Sequence, residues 1–340
     1  MLKTILSPLL FILLALLIGG CGGDPPQPAP QSSTEASSAE AADGFPLTLD
    51  DGLGRRVTLD AAPQRIVSLA PKNTELLFAL GAQDLLVGVT SYCSYPEAAR
   101  ELPQIGGFSS HSISMERVVG MRPDLVLSVG ELQRPSIDAL ERLRIPVLAL
   151  GAESLAAMEF EIELLGRVRG REQAAAQLLE SLRRRVDAVR QQAAQIAEDQ
   201  RVDVFYQIWN DPMAAAGPAS FVGELIELAG GQNIVSDPST PYVRISEEVV
   251  LRSDPQVIIA PSMGAARIRV EDFSQRSGWQ SIRAVRQGRI YVLDGDLVSR
   301  CSPRAVDALE IIAHVFYPQR FELSQELAEF LTDDSRGEMP

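Results

Sequence analysis

The 340-residue chain is poor in the residues from which metal and redox centres are usually made, with two histidines and three cysteines. That supply does not build a multi-ligand zinc site of the usual His/Cys type. Positive charge is also scarce. There are 31 Lys+Arg against 45 Asp+Glu, a net charge of −14, and no basic stripe, which excludes a nucleic-acid partner. The chain has no Gly-x-Ser-x-Gly elbow, no His-Glu-x-x-His pair and no P-loop, so the common hydrolase, metalloprotease and NTPase signatures are missing. The adjacent carboxylates Asp50-Asp51, Glu247-Glu248 and Asp333-Asp334 alternate or lie in turns and do not read as a converging acid–base pair. What is plentiful is apolar material, 46% of residues, enough for sizeable cores. The length predicts two or three domains.

Residues 1–20 carry one charge, Lys3, and an apolar run from Ile5 to Ile18 broken by Ser7 and Pro8. The run has the length of a signal-peptide core and is short for a membrane-spanning helix. It ends in Leu17-Ile18-Gly19-Gly20-Cys21, which resembles a lipoprotein processing box, with Cys21 as the lipidated residue. Residues 22–44 are rich in Pro, Ser, Ala and Gln and lack apolar periodicity, which reads as a flexible tether.

The remainder is written twice. Arg65–Pro71 reads as a buried strand. Asn73-Thr74-Glu75 reads as a helix start, followed by a stop at Gly81 and a strand over Leu85–Val89. In the second half Val202–Trp209 reads as a strand, and a helix runs from about Ser220 to Gly230-Gly231. The interval from Glu75 to Gly81 equals that from Glu224 to Gly230, and the interval from Glu116 to Pro123 equals that from Glu248 to Pro255. Two motifs in the same order predict a duplicated α/β lobe. Between the halves, Arg171–Gln200 lacks Gly and Pro. Its apolar residues Ala175, Leu178, Leu182, Val186, Val189, Ala193 and Ile196 are spaced by threes and fours, which predicts one helix of about 45 Å and small lobe motions.

The expected fold class is therefore α/β, two Rossmann-like lobes with central parallel sheets joined by one long helix. The expected organisation is a lipoprotein signal peptide (1–20), a lipid-anchored flexible tether (21–44), an N-terminal α/β lobe (45–168), a connecting backbone helix (169–200), a C-terminal α/β lobe (201–332) and a tail (333–340).

From about Pro46 to Pro318 the chain resembles the helical-backbone class of periplasmic substrate-binding proteins, which serve ABC importers of cobalamin, haem and iron-siderophores. The most specific segments are Pro63–Leu76, Val87–Pro96, Pro103–Phe108, Arg122–Val126 and Ser302-Pro303-Arg304. The run Gly88-Val-Thr-Ser-Tyr-Cys-Ser-Tyr-Pro96 follows the cobalamin-binding branch almost position by position, and Thr240–Glu248 does so more loosely.

This resemblance implies a ligand between the lobes, at the carboxyl ends of the strands, in agreement with the general rule for open α/β sheets. The matching positions are Pro71, Tyr92 and Phe108 on the first lobe and Tyr242, Asp296 and Arg300 on the second, with Trp209 nearby. Where that branch has further tryptophans this chain has Val129 and Leu297, and Ser109–Ser114 carries extra residues. The resemblance further implies a corrinoid as transported ligand, a permease dimer with ATPase subunits as partner, and Glu116 and Glu248 as the docking carboxylates. It implies no catalysis, no metal site, no resident cofactor and a monomer held at a membrane by its N-terminal lipid. The same role for a ferric siderophore or haem is the alternative, and an extracytoplasmic enzyme or sensor a distant one. His111 reads as a solvated loop residue and His314 as packing. The resemblance puts Cys93 and Cys301 near the cleft on opposite lobes, where a disulfide would lock the site; they read as two free thiols, with that bridge as the alternative.

Overall fold

The computed structural model describes residues 44–262 and 268–331. The leader, the tether up to Asp43 with Cys21, and the tail over 333–340 lie outside the described residues.

The first half opens with an antiparallel hairpin, β1 (Leu47–Asp50) and β2 (Arg56–Leu59). Asp51 holds its turn, accepting the N–H groups of Leu53 and Arg55 at 2.9 Å each and that of Ala149 at 3.1 Å. Gly52 donates to Ala149 O at 2.8 Å. A Cβ on Gly52 would lie 2.9 Å from Gly151 N, so only glycine lets the hairpin sit this close to the sheet.

A four-stranded parallel sheet follows: β3 (Ile66–Ser68), β4 (Leu86–Gly88), β5 (Leu125–Ser128) and β6 (Val147–Ala149), in the order β4-β3-β5-β6. The crossovers carry α1 (Pro71–Ala79), α2 (Met115–Gly120) and α3 (Arg134–Arg142). Every residue of β3, β5 and β6 is buried, as expected of strands covered on both faces.

α1 departs from the sequence reading. It begins at Pro71, with Ala70 as N-cap and no side-chain cap. Proline's fixed φ suits the first helical position, which frees Asn73, Thr74 and Glu75 for buried bonds inside the helix. Asn73 Nδ2 donates to Ser128 O at 3.1 Å and Thr74 Oγ1 to Ser68 Oγ at 2.9 Å.

α4 (Leu155–Val168) leads into α5 (Glu172–Ala193), which joins the halves. At 22 residues α5 is about 33 Å long, shorter than the expected connector over 169–200. The chain bends after Ala193 because Ile196 turns inward and is buried against Gly230. The buried stripe is Ala175, Leu179, Leu182, Val186, Val189 and Ala193. Leu179 takes the place expected for Leu178, which is half-buried.

The second half contains β7 (Asp203–Trp209), β8 (Ala214–Ala216), α6 (Phe221–Leu228), β9 (Gln232–Asn233), β10 (Tyr242–Arg244), α7 (Glu247–Ser253) and β11 (Val257–Ser262). It continues through α8 (Val270–Ser274), α9 (Arg283–Arg286), β12 (Ile290–Asp294), α10 (Gly295–Val298), α11 (Ala305–Phe316) and α12 (Gln325–Ala328). The sheet order is β10-β8-β7-β11-β12, and β9 also pairs with β7. The parallel part, β9-β7-β11-β12, repeats β4-β3-β5-β6 strand for strand. β8 and β10 are antiparallel additions. In each sheet the chain places its second parallel strand on one side of the first and its third on the other. Both sheets thus have a switch point, where ligands bind in open α/β folds.

Each sheet has one core of its own, around Val67, Val126 and Ile137 in the first and Phe205, Phe273 and Trp279 in the second. The opposite faces share a single core that runs from Leu76 and Leu127 through α4, α5 and α11 to Val204 and Leu225. The lobes are therefore two sheets on one apolar spine.

Candidate binding cleft

A cleft of about 960 Å³ lies between the carboxyl edges of the two sheets. The first lobe contributes Pro71 and Lys72 after β3, Tyr92 and Phe108 from the loops after β4, Leu132 after β5 and Glu153 after β6. The docked hairpin adds Leu53. The second lobe contributes Tyr206 and Ile208 from β7, Tyr242 from β10, and Asp296, Ser299 and Arg300 after β12.

Six of the seven expected ligand residues meet here: Pro71, Tyr92, Phe108, Tyr242, Asp296 and Arg300. Trp209 does not. Tyr206 and Ile208 of β7 line the cleft, whereas Trp209 follows a register irregularity after Gln207 and stays outside the lining, half exposed, with its Nε1 donating to Asp211 O at 3.0 Å. Of the two positions marked as departures, Val129 lines the cleft, while Leu297 is buried outside its lining. Tyr92 and Tyr242 are each 59% exposed, so two aromatic faces stand open across the gap.

Phe108 is fixed from behind. Gln133, fully buried, donates from Nε2 to Phe108 O at 2.8 Å and to Leu69 O at 2.9 Å, and its Oε1 accepts Val129 N at 3.0 Å. The segment Ser109–Ser114 folds back on this loop. Ser112 O accepts Gly107 N at 2.9 Å, and Gly106 holds a φ of +109° that suits glycine. His111 is exposed on this turn, and His314 packs with Nδ1 2.7 Å from Phe321 O.

One end of the cleft is closed by an ion cluster. Glu75, its side chain 2% exposed, receives Arg300 Nη1 at 3.0 Å, Ser302 Oγ at 2.6 Å, and Arg304 Nε and Nη2 at 3.1 Å each. Arg300 also meets Asp296 at 2.6 Å, and Ser94 Oγ donates to Asp296 at 3.2 Å. Arg304 stacks 3.9 Å above the Tyr95 ring. Deeper in the first lobe, Lys72 pairs with Glu161 at 2.8 Å, and Glu161 accepts Ala152 N at 2.7 Å. Burial pushes the Glu161 carboxyl upward against the pull of Lys72.

The thiols are free and buried. Cys301 lines the cleft and contacts Ser154 O at 3.3 Å, and burial pushes it up to about 12. Burial raises Cys93 too, against its bonds to Thr74 and Thr90. Neither is poised as a thiolate.

The sequence reading missed Glu75 and Arg304 as an inter-lobe pair, and Leu53, Lys72, Leu132, Tyr206 and Ile208 as cleft residues. Glu75, Lys72 and Arg304 fall in segments already singled out as specific, and that was the available signal. Leu132 and Ile208 carry none.

Comparison with known proteins places this geometry in context. The periplasmic binding protein family matches residues 66–297. An uncharacterized ABC transporter substrate-binding lipoprotein of Bacillus subtilis is 31% identical over 92% of this chain and 96% of its own length. A vitamin B12-binding protein of Vibrio cholerae is 29% identical over 73% of this chain and 87% of its own. Among solved structures, a periplasmic heme-binding protein from Pseudomonas aeruginosa aligns with a TM-score of 0.69 at 29% identity, covering 78% of this chain and 96% of that one. The periplasmic vitamin B12-binding protein of Vibrio cholerae aligns at 0.64 and 27% identity, covering 75% and 97%.

Proposed function

Because the chain belongs to the periplasmic binding protein family, and is thus a solute-binding protein of ABC import and not an enzyme, we propose that it captures a corrinoid in this cleft and delivers it to an importer. The observation that carries the choice of ligand is the charge of the cleft wall. Among the described residues its cations are Lys72 and Arg300, and both are taken, by Glu161 and by Glu75 with Asp296. Glu75 and Asp296 balance Arg300 and Arg304, Glu131 is met by Arg134 at 2.8 Å, and Glu153 adds a negative charge without an ion-pair partner among the described residues. Haem propionates or an anionic ferric chelate would face carboxylates with no spare cation. A corrinoid ends in primary amides and is neutral or positive at cobalt. Open faces at Tyr92 and Tyr242, with Pro71 and Phe108, offer flat apolar area for a macrocycle. The volume is at the upper end of small-molecule sites.

Calorimetry with cyanocobalamin, cobinamide, haemin and a ferric siderophore tests the reading. One-to-one binding of a corrinoid supports it, and binding of haemin alone overturns it. Haem is the second reading, supported by the fit to the Pseudomonas aeruginosa protein.

The docking assignment for Glu116 and Glu248 gains support from local geometry. Each is the second residue of its helix, α2 or α7, after a serine N-cap. Ser114 accepts Arg117 N at 3.3 Å and Ser246 accepts Val249 N at 3.4 Å. Both helices precede the equivalent strands β5 and β11, so their N-termini lie on the side of the strands' carboxyl edges. Both glutamates are exposed and unpaired among the described residues. Two symmetric carboxylates suit a permease of two identical subunits offering arginines. Lipidation at Cys21 would hold the monomer at the outer face of a membrane, with two acyl chains sufficient for stable anchoring.

A further inference from the structure

Tyr206 is 1% exposed yet lines the cleft from β7, among Ile208, Phe221 and Val222. Its hydroxyl has no hydrogen-bond partner. Ser299, exposed in the same wall, is near enough to act on this hydroxyl as a hydrogen-bonding group, but the two do not close a bond of normal length and angle, and Tyr242 acts more weakly still. A buried hydroxyl without a partner is uncommon and calls for a reason. Packing alone does not supply one, since phenylalanine would fill the same space without the polar atom, as Phe205 does on the opposite face of β7.

We propose that Tyr206 Oη is a recognition group that donates a hydrogen bond to an acceptor oxygen of the bound ligand, with Ser299 Oγ as the second polar point of that wall. It deepens the cleft reading above and rests on it. The acceptor is of the carbonyl class, which primary amide arms supply in number. Burial pushes the phenol further from ionisation, which favours the neutral donor form. A site built around such a donor discriminates strongly, because a ligand lacking the acceptor leaves the hydroxyl orphaned in the complex.

The test is Tyr206→Phe in the purified full-length protein in detergent, titrated with cobinamide and with haemin, each against the unsubstituted protein. Loss of about tenfold in affinity for cobinamide, at an unchanged or raised melting temperature, is the expected result. Ser299→Ala, at an exposed position that does not threaten folding, is expected to weaken the same ligand by a smaller factor. Unchanged cobinamide affinity in Tyr206→Phe overturns the proposal while leaving the corrinoid reading intact. If the unsubstituted protein binds haemin and no corrinoid, the ligand reading fails. The proposal then stands only if Tyr206→Phe weakens haemin without removing a tyrosinate-to-iron charge-transfer band. Loss of such a band makes Tyr206 an iron ligand and overturns it, as does binding of neither probe.

Discussion

Glu75 in α1 and Arg300 after α10 lie on opposite lobes and meet at 3.0 Å in a nearly dry environment, their side chains 2% and 14% exposed. Ser302 and Arg304 complete the shell around the same carboxylate. This is the principal polar link across the cleft, complementing the apolar spine behind it. Glu75→Ala strands the Arg304 guanidinium and leaves Arg300 with Asp296 alone, so it is expected to cost about 3 kcal/mol, read from urea unfolding. A loss below about 1 kcal/mol would show that the cluster is solvated and does not tie the lobes.

The cleft aromatics separate cleanly from their neighbour on β7. Tyr92→Ala and Tyr242→Ala should each weaken corrinoid binding by about 1–3 kcal/mol through lost aromatic area. Trp209→Ala should leave it unchanged, because Trp209 lies outside the cleft lining, bonded to Asp211 O. Calorimetry on the three variants decides it, and a Trp209 effect as large as the tyrosines' would contradict the strand geometry.

Reversing both proposed docking charges, Glu116→Arg with Glu248→Arg, should preserve ligand affinity and abolish uptake, since attraction becomes repulsion. Transport in vesicles carrying the importer, measured beside calorimetry, distinguishes the outcomes. Normal uptake removes the docking role, and lost affinity moves the residues into the cleft.

Acid should loosen the hairpin that carries Leu53. Burial works against the Asp51 charge, but the bonds from Arg55 and from the backbone of Arg55, Ala149 and Leu53 prevail and hold its carboxyl below the ordinary range. A depressed folded pKa contributes stability that is fully present above the unfolded value, about 3.9, and fades as pH falls through the lower folded value. The stability gap between the unsubstituted protein and Asp51→Asn should therefore be wide at pH 7 and shrink below about pH 4. A gap constant from pH 7 to pH 2 in urea melts would rule this out.

Legibility followed distance along the chain. The Glu-to-Gly and Glu-to-Pro intervals are local, and they predicted a duplicated α/β lobe, while the strand order within each sheet depends on contacts far apart in the chain. The spacing of Ala175, Leu182, Val186 and Val189 marked α5, but its end depended on Ile196 finding Gly230 across the fold. Glu75 read as helix-start chemistry because its partner Arg300 is 225 residues away. Tyr206 and Trp209 occupy one strand, and only the register of β7 reveals which faces the cleft. The antiparallel additions β8 and β10 left no cue in Ala214-Ala215-Ala216 or Tyr242-Val243-Arg244, short strands without distinctive alternation.

The shared spine also governs how the molecule comes apart. Cutting the chain between α4 and α5 would leave one fragment with the bare face of α4 and the other with the exposed stripe of Leu179, Leu182 and Val186. Neither piece would be self-sufficient, and both would seek another apolar surface. A protein built this way is expected to melt as a single cooperative unit, and cleavage near Gly170 to give aggregation in place of two soluble halves.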